Sequence, residues 1–125
     1  MTRILMVEDN EINRDVLGRR LVRRGYEVEY AVDGPSGVAA AASVRPDLIL
    51  MDIGLGEMCG CEATRRIKAN GETAHIPVIA LTASAFETDR QNALNAGCID
   101  FDTKPVDLPR LLEKIEKALA ARNAA

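Results

Sequence analysis

Apolar residues in this chain come in two rhythms that take turns from end to end. Short continuous runs, Ile4-Leu5-Met6-Val7, Leu48-Ile49-Leu50-Met51 and Val78-Ile79-Ala80-Leu81, have the length and composition of strands buried on both faces of a parallel sheet. Two further segments alternate instead. Tyr26, Val28 and Tyr30 are set against Glu27 and Glu29, and Ile99 and Phe101 against Asp100 and Asp102. Alternation suits strands with one wetter face, so these two are expected at the sheet edges. The five strands are expected at Arg3 to Val7, Glu27 to Val32, Leu48 to Asp52, Val78 to Thr82 and Ile99 to Asp102.

Helical spacing fills the gaps. Ile12, Val16, Leu17 and Leu21 form one stripe between Asn10 and Arg24, with Gly25 as the stop. Pro35 is placed to open a second helix, which ends before Pro46 because a residue ahead of proline avoids helical angles. A third helix is expected over about Cys61 to Asn70. A fourth, with Ser84 and Glu87 as a capping box, ends at Gly97, and a fifth starts near Asp107 and Pro109 and carries Leu111, Leu112, Ile115, Ala118 and Leu119. The fourth helix has a thin stripe of Phe86, Ala93 and Leu94, so little apolar area holds it in place and it is the candidate moving part. Phe86 reads equally as core or as exposed interface. Strict alternation of strand and helix, three interior strands and two edges give an α/β fold. It is a flavodoxin-like, doubly wound five-stranded parallel sheet in order 2-1-3-4-5, with five helices on both faces.

Totals narrow the picture. The 125 residues suit one domain over 1–125 and leave no room for an output domain, so action by contact is expected. Apolar residues make up 47% of the chain and Trp is absent, so the core must be aliphatic. A net charge of −3 argues against nucleic acid as a partner. Arg14, Arg19, Arg20, Arg23 and Arg24 on the first helix read first as a solvated face and second as a docking surface. Cys59, Cys61 and Cys98 have neither the number nor the spacing of a disulfide framework or a zinc site, and read as free thiols of a reducing cytoplasm. No apolar stretch approaches the roughly 20 residues that span a bilayer, and no secretory signal precedes Glu8, so a soluble cytoplasmic protein without membrane contact is expected.

The chemistry lies at the strand ends. Glu8 and Asp9 close the first strand, Asp52 the third, Thr82 the fourth, and Lys104 follows the fifth. In the order 2-1-3-4-5 these groups meet at the carboxyl edge, where open α/β sheets hold ligands. Each close pair of carboxylates costs about 4 kcal/mol at 4 Å and an effective dielectric near 20, so positive charge must offset it. Lys104 is one source. A hard divalent cation, Mg²⁺, is the other, because it takes carboxylates while keeping several waters. A carboxylate can accept a phosphoryl group, and Asp52, at a central strand end, suits that role, with Thr82 and Lys104 donating to the remaining phosphoryl oxygens. Any one of these acids alone could simply cap a helix, as Asp9 or Asn10 could for the first.

The residues Val7-Glu8-Asp9-Asn10, Leu50-Met51-Asp52-Ile53, Gly60, Ala80-Leu81-Thr82-Ala83, Phe101 and Lys104-Pro105 give the chain a resemblance, over nearly its whole length, to the response-regulator receiver domains of two-component signalling, the CheY-like superfamily. It is similar to stand-alone receivers of the DivK type and to receivers attached to hybrid kinases. The resemblance implies a bacterial signalling protein, not an enzyme on other substrates, whose Asp52 takes a phosphoryl group from a histidine kinase or histidine phosphotransfer protein and then switches binding to a downstream protein. It implies metal ligation by Glu8, Asp9, Asp52 and the backbone carbonyl of Gly54, and phosphoryl binding and switching through Thr82, Ala83, Lys104 and an inward-turning Phe101. It also implies a cis peptide bond at Lys104-Pro105. Phe101 stands where tyrosine is frequent in the family, and Gly56 and Cys59 where proline and aspartate are frequent, which loosens the loop after Asp52. Gly54 and Ser84 match positions that tune hydrolysis. The alternative from the enzyme class is an aspartyl-phosphate phosphatase of the haloacid dehalogenase type. Such enzymes need a second acid two residues after the nucleophile, where this chain has Gly54. A flavin binder of flavodoxin type is a third reading, disfavoured by the acidic pocket.

Overall fold

The computed structural model describes residues 1–55, 58–83 and 86–124, without the side chains of the last two of these. Ten elements follow in strict alternation: β1 (Arg3–Val7), α1 (Glu11–Arg23), β2 (Glu27–Ala31), α2 (Gly34–Val44), β3 (Leu48–Asp52), α3 (Gly60–Ala69), β4 (Val78–Thr82), α4 (Glu87–Ala96), β5 (Asp100–Thr103) and α5 (Leu108–Ala124). All strand pairs are parallel, in the order β2-β1-β3-β4-β5. This is the doubly wound topology that the two rhythms predict. β3 and β4 are buried at every position, and β1 at all but its first.

Alternate residues of these strands feed two cores. Ile4, Met6, Leu48, Leu50, Ile79 and Leu81 pack under α1 and α5 against Leu17, Leu21, Leu111 and Ile115. Leu5, Val7, Ile49, Met51, Val78 and Ala80 pack under α2, α3 and α4 against Ala41, Ala63, Ile67 and Ala93. Each fully buried Leu, Ile or Met contributes about 1.5–3 kcal/mol, so the aliphatic layers on either side of the sheet dominate its stability. Among the described residues no helix is long and apolar enough to cross a membrane.

Local chemistry sets the helix ends. Asn10 caps α1 by accepting from the Asn13 N–H at 2.9 Å. Asp33 and Ser36 form a reciprocal capping box around Pro35 at the start of α2. Arg45, ahead of Pro46, leaves the helix in a left-handed conformation at φ +52°. The capping box expected for α4 involves Ser84, which lies outside the described residues; Phe86 stands at the N-cap position and makes no side-chain cap. α4 buries only Ala93 and Ala96, and Phe86 is exposed, so the thin stripe is real.

Two expectations fail. Ile12 and Val16 are 73% and 47% exposed, so they are not core. α1 starts beyond the end of β1, and its first turns overhang the sheet edge; only Leu17, Gly18 and Leu21 reach the sheet. Around β5 the alternation misleads: Phe101 packs on one core, yet the most buried residue of the strand is Asp102, and Ile99 just before it is exposed. Asp102 is 2% exposed while Ile99 is 48% exposed. This edge strand is covered on both faces, and α5 brings cations to the face that Asp102 occupies. Arg110 contacts Asp102 Oδ1 at 2.7 Å through Nη2 and at 2.8 Å through Nε, and the Thr103 N–H donates to the same oxygen at 2.8 Å. Alternation alone cannot tell a solvated acid from a buried, paired one.

Cys98 is buried beside the Thr64 hydroxyl, 3.7 Å from its sulfur, and burial pushes its thiol up to about 11 from an ordinary 9.0. Between those values the unfolded thiol has lost its proton and the folded one has not, so stability falls as pH rises through that window. The expected loss is about 2–3 kcal/mol by pH 11. Urea unfolding of the native chain and of Cys98→Ala at pH 8.5 and pH 11 isolates the effect; equal losses in both would remove this thiol as the cause.

Candidate functional site

The carboxyl ends of β1, β3 and β4 and the segment after β5 converge on one cleft. β1 delivers Glu8, buried, and Asp9, exposed, and β3 delivers Asp52, buried. One carboxylate oxygen from each of Glu8, Asp9 and Asp52 lies within 4.8 Å of the others. Lys104 reaches back across the edge, with its ammonium 2.8 Å from Glu8 Oε1 and 3.2 Å from Asp52 Oδ2. Its position is fixed on both sides. The Lys104 N–H donates to the Thr82 carbonyl at 2.7 Å, and the following bond to Pro105 is cis.

The other oxygens are held as well. The Asn10 N–H donates to Glu8 Oε2 at 3.3 Å, and the Gly54 N–H donates to Asp52 Oδ1 at 2.9 Å. Among the described residues, a Cβ built on Gly54 would meet that same Oδ1 at 3.6 Å, an ordinary van der Waals contact. Gly60 packs against Asp52 from the other side: a Cβ there would fall 2.2 Å from the Asp52 carbonyl oxygen. Thr82 is buried at the end of β4, one residue past the Leu81 that pairs with Asp52, and Ala83 is exposed just beyond it. Phe101 is not part of the cleft. It sits opposite Ala80, half-buried against the core that α4 helps to cover, and its carbonyl accepts from the Lys114 ammonium.

Among the described residues charge is not balanced here, since the Lys104 ammonium faces a cluster of three carboxylates. Burial, and then contact with Asp52, raises Glu8 above the usual glutamate value even though Lys104 opposes the shift. Lys104 is depressed by its own burial, but its bond to Glu8 and the charges of Asp52 and Glu8 outweigh that and raise it. The same ion pair therefore holds the lysine charged while leaving the glutamate under strain from a second acid. Hard oxygen donors at this spacing, with negative charge in excess, fit a small divalent cation. Replacing Lys104 with Met leaves two buried carboxylates uncompensated, and a loss of about 2–4 kcal/mol is expected in metal-free buffer. A denaturation midpoint that does not move would mean that the pair contributes nothing.

Sequence reasoning missed the wall of the cleft. A cavity of about 530 Å³ runs from Glu8, Asp52 and Lys104 along Asn13, Val16, Leu17 and Arg20 of α1 to Pro105 and Val106. Arg14 also donates to the Glu8 carbonyl at 2.8 Å. The only signal for this lies in the phase of α1 set by its Asn10 cap, which a search for a core stripe overlooks.

Comparison with known proteins agrees with this geometry. Residues 4–116 match the family model of the response regulator receiver domain. The polar-differentiation response regulator DivK of Brucella anthropi is 40% identical over 116 residues, which cover 93% of this chain and 94% of that protein. The receiver domain of the sensor histidine kinase PA1611 of Pseudomonas aeruginosa, solved with a magnesium ion coordinated in its active-site cleft, superposes with a TM-score of 0.88. It is 39% identical, and the match covers 95% of this chain and 98% of that one. The chemotaxis protein CheY4 of Vibrio cholerae superposes with a TM-score of 0.89 at 27% identity, covering 94% and 98%. No finding favours the haloacid dehalogenase alternative, and the position that would carry its second acid is glycine. Fold, topology and sequence agree over nearly the whole length, and the chain belongs to the response regulator receiver domain family.

Proposed function

We propose that Asp52 is the residue of this receiver that accepts a phosphoryl group, from a phosphohistidine on a histidine kinase or histidine phosphotransfer protein. A carboxylate oxygen of Asp52 attacks phosphorus, the P–N bond breaks, and the imidazole keeps the electron pair and takes a proton. The observation that carries this reading is the meeting of three carboxylates within 4.8 Å, with the Lys104 ammonium on two of them. Glu8, Asp9, Asp52 and the Gly54 carbonyl would hold Mg²⁺, which supplies positive charge to the phosphoryl oxygens when bound. Lys104, Thr82 and the backbone at Ala83 would donate to those oxygens. Thr82 would draw toward the new group, with Phe101 turning inward behind it, and α4, which buries little, would reset the face read by a downstream protein.

Access supports the partner class. Val16 and Arg20 of α1 line the cleft beside Asp52, and Ile12 is exposed on the same helix, offering apolar and cationic contacts to a docking helix. On this reading the chain is a cytoplasmic bacterial phosphoprotein over 1–125, with no nucleic acid or membrane partner, that catalyses only its own phosphorylation and dephosphorylation. The test is labelling with acetyl phosphate. Intact mass spectrometry should record one added phosphoryl group that needs Mg²⁺ and is removed by hydroxylamine, and peptide mapping after borohydride trapping should put it on Asp52. A stable label on a hydroxyl, or equal labelling in EDTA, would overturn the reading.

A further inference from the structure

Cys59-Gly60-Cys61 is a motif that the site chemistry leaves unused. Cys59 stands at the N-cap of α3 with extended backbone angles (φ −68°, ψ 155°), and its side chain makes no cap hydrogen bond. It is exposed, whereas Cys61, in the first turn, is buried. Gly60 between them is helical, which separates their Cα atoms by about 5.4 Å. A disulfide spans about 4.4–6.8 Å between Cα atoms. Side chains two apart inside a helix face away from each other. Cys59 stands outside the helix, with extended backbone angles at the N-cap, so that rule does not bind it. Burial, then the neighbouring Cys59 thiol, pushes the Cys61 thiol up. Cys98 is screened from solvent by its own burial.

The glycine that separates the two cysteines is also the residue jammed against the phospho-acceptor strand. Its missing Cβ would lie 2.2 Å from the Asp52 carbonyl oxygen and 2.9 Å from the Ile53 Cα, and its N–H donates to the Ile53 carbonyl at 3.3 Å. Contact this close leaves no slack, so a change in the backbone at Cys59 and Cys61 must be taken up by Asp52 and Ile53.

We propose that Cys59 and Cys61 are a thiol-oxidation site, closing to a reversible disulfide with a peroxide as oxidant, and that closure retunes phosphoryl transfer at Asp52 through Gly60. The exposed Cys59 sulfur attacks the peroxide. An S–O bond forms, the O–O bond breaks, and the departing hydroxide leaves as water with the thiol proton. Cys61 then attacks the Cys59 sulfur; the S–S bond forms, the S–O bond breaks, and a second water carries away the Cys61 proton. Two thiols and one hydrogen peroxide become one disulfide and two waters, with two electrons passing from sulfur to oxygen. A transient, reducible bond of this kind is the form in which cytosolic disulfides occur.

The effect on transfer rests on Asp52 as the acceptor; formation of the bond does not, and the two are read separately. Native protein is treated with a small excess of hydrogen peroxide, and free thiols are then blocked. Non-reducing peptide mapping should find an intramolecular bridge between Cys59 and Cys61 that dithiothreitol reverses and Cys59→Ser lacks. Cys59 going straight to sulfinic acid, or pairing only between molecules, overturns the site. Labelling by acetyl phosphate with Mg²⁺ is then timed on the oxidised and reduced forms. A change of about tenfold is expected, since a small misplacement at a reacting group has large kinetic consequences. Equal rates in the two forms overturn the coupling. Absence of labelling in both forms would instead count against Asp52.

Discussion

Asp52→Asn is expected to take up no phosphoryl group from acetyl phosphate and Mg²⁺ and, at the same time, to be more stable than the native chain in metal-free buffer. The first effect follows because an amide is not a nucleophile toward phosphorus, while the geometry around it survives. The Asn carbonyl can still accept from the Gly54 N–H that now serves Asp52 Oδ1, and Lys104 keeps its 2.8 Å contact with Glu8. The second effect follows from charge. Among the described residues Asp52 has one attractive neighbour, Lys104 at 3.2 Å, and two repulsive ones, Glu8 and Asp9, within 4.8 Å. Neutralising it leaves a net relief worth about 1–2 kcal/mol once solvent screening is counted. The stabilisation that Mg²⁺ gives should shrink in the variant, because one ligand has lost its charge. Chemical denaturation with and without Mg²⁺, run beside the labelling assay, measures all three. Labelling that persists would refute Asp52 as acceptor. Lower stability without metal would mean that its bond to Lys104 outweighs the repulsion.

Much of this was readable in advance because it depends on period and position alone. Three apolar runs place β1, β3 and β4, and the acid or hydroxyl that ends each run must emerge at the same edge of a parallel sheet. That argument needs no side-chain detail, so it brings Glu8, Asp9, Asp52 and Lys104 to one cleft. It fails where two physical solutions share one pattern. Asp102 alternates like a solvated residue, yet Arg110 and Lys114 from α5 make its burial tolerable, and those partners lie 8 and 12 positions away on another element. Ile12 and Val16 keep a core-like spacing, yet α1 overhangs the edge and turns Val16 toward the cleft and Ile12 toward solvent. Helix phase relative to the sheet is a tertiary quantity, and no single-helix pattern contains it.

The edge strand has a further consequence for the switch. Lys114 donates to the Phe101 carbonyl and lies 3.9 Å from both Asp100 and Asp102, while Arg110 holds Asp102 directly. β5 is thus bonded along its length to α5, whereas α4, on the other face, buries only two alanines. A rearrangement beginning at Thr82 meets firm resistance from α5 and little from α4. The motion expected for Phe101 is therefore a rotation of its side chain toward the α4 side, without displacement of the strand.

Gly60→Ala is expected to be the most damaging small substitution in the chain, although it adds a single methyl group at a helix start, where alanine is normally preferred to glycine. The reason is contact, not backbone angle. The new Cβ would lie 2.2 Å from the Asp52 carbonyl oxygen and 2.9 Å from both the Asp52 carbonyl carbon and the Ile53 Cα. All three are backbone atoms of the segment leaving the central strand, so no side-chain rotation can relieve the overlap. Either α3 shifts outward, unpacking Ala63 and Ile67 from the core they share with Ile49 and Met51, or the end of β3 moves and takes Asp52 out of register with Glu8 and Lys104. Overpacking of this kind costs about 1–3 kcal/mol where side chains can give, and more where backbone must. A loss of about 3 kcal/mol or more is expected from urea denaturation, together with slower labelling by acetyl phosphate in whatever fraction folds. Gly54→Ala is the control, because its Cβ would make only an ordinary 3.6 Å contact with Oδ1 of the same aspartate among the described residues and should leave stability within about 0.5 kcal/mol. If both glycines tolerated alanine equally well, α3 would not be braced on the phospho-acceptor strand, and the mechanical link between that helix and Asp52 would be gone.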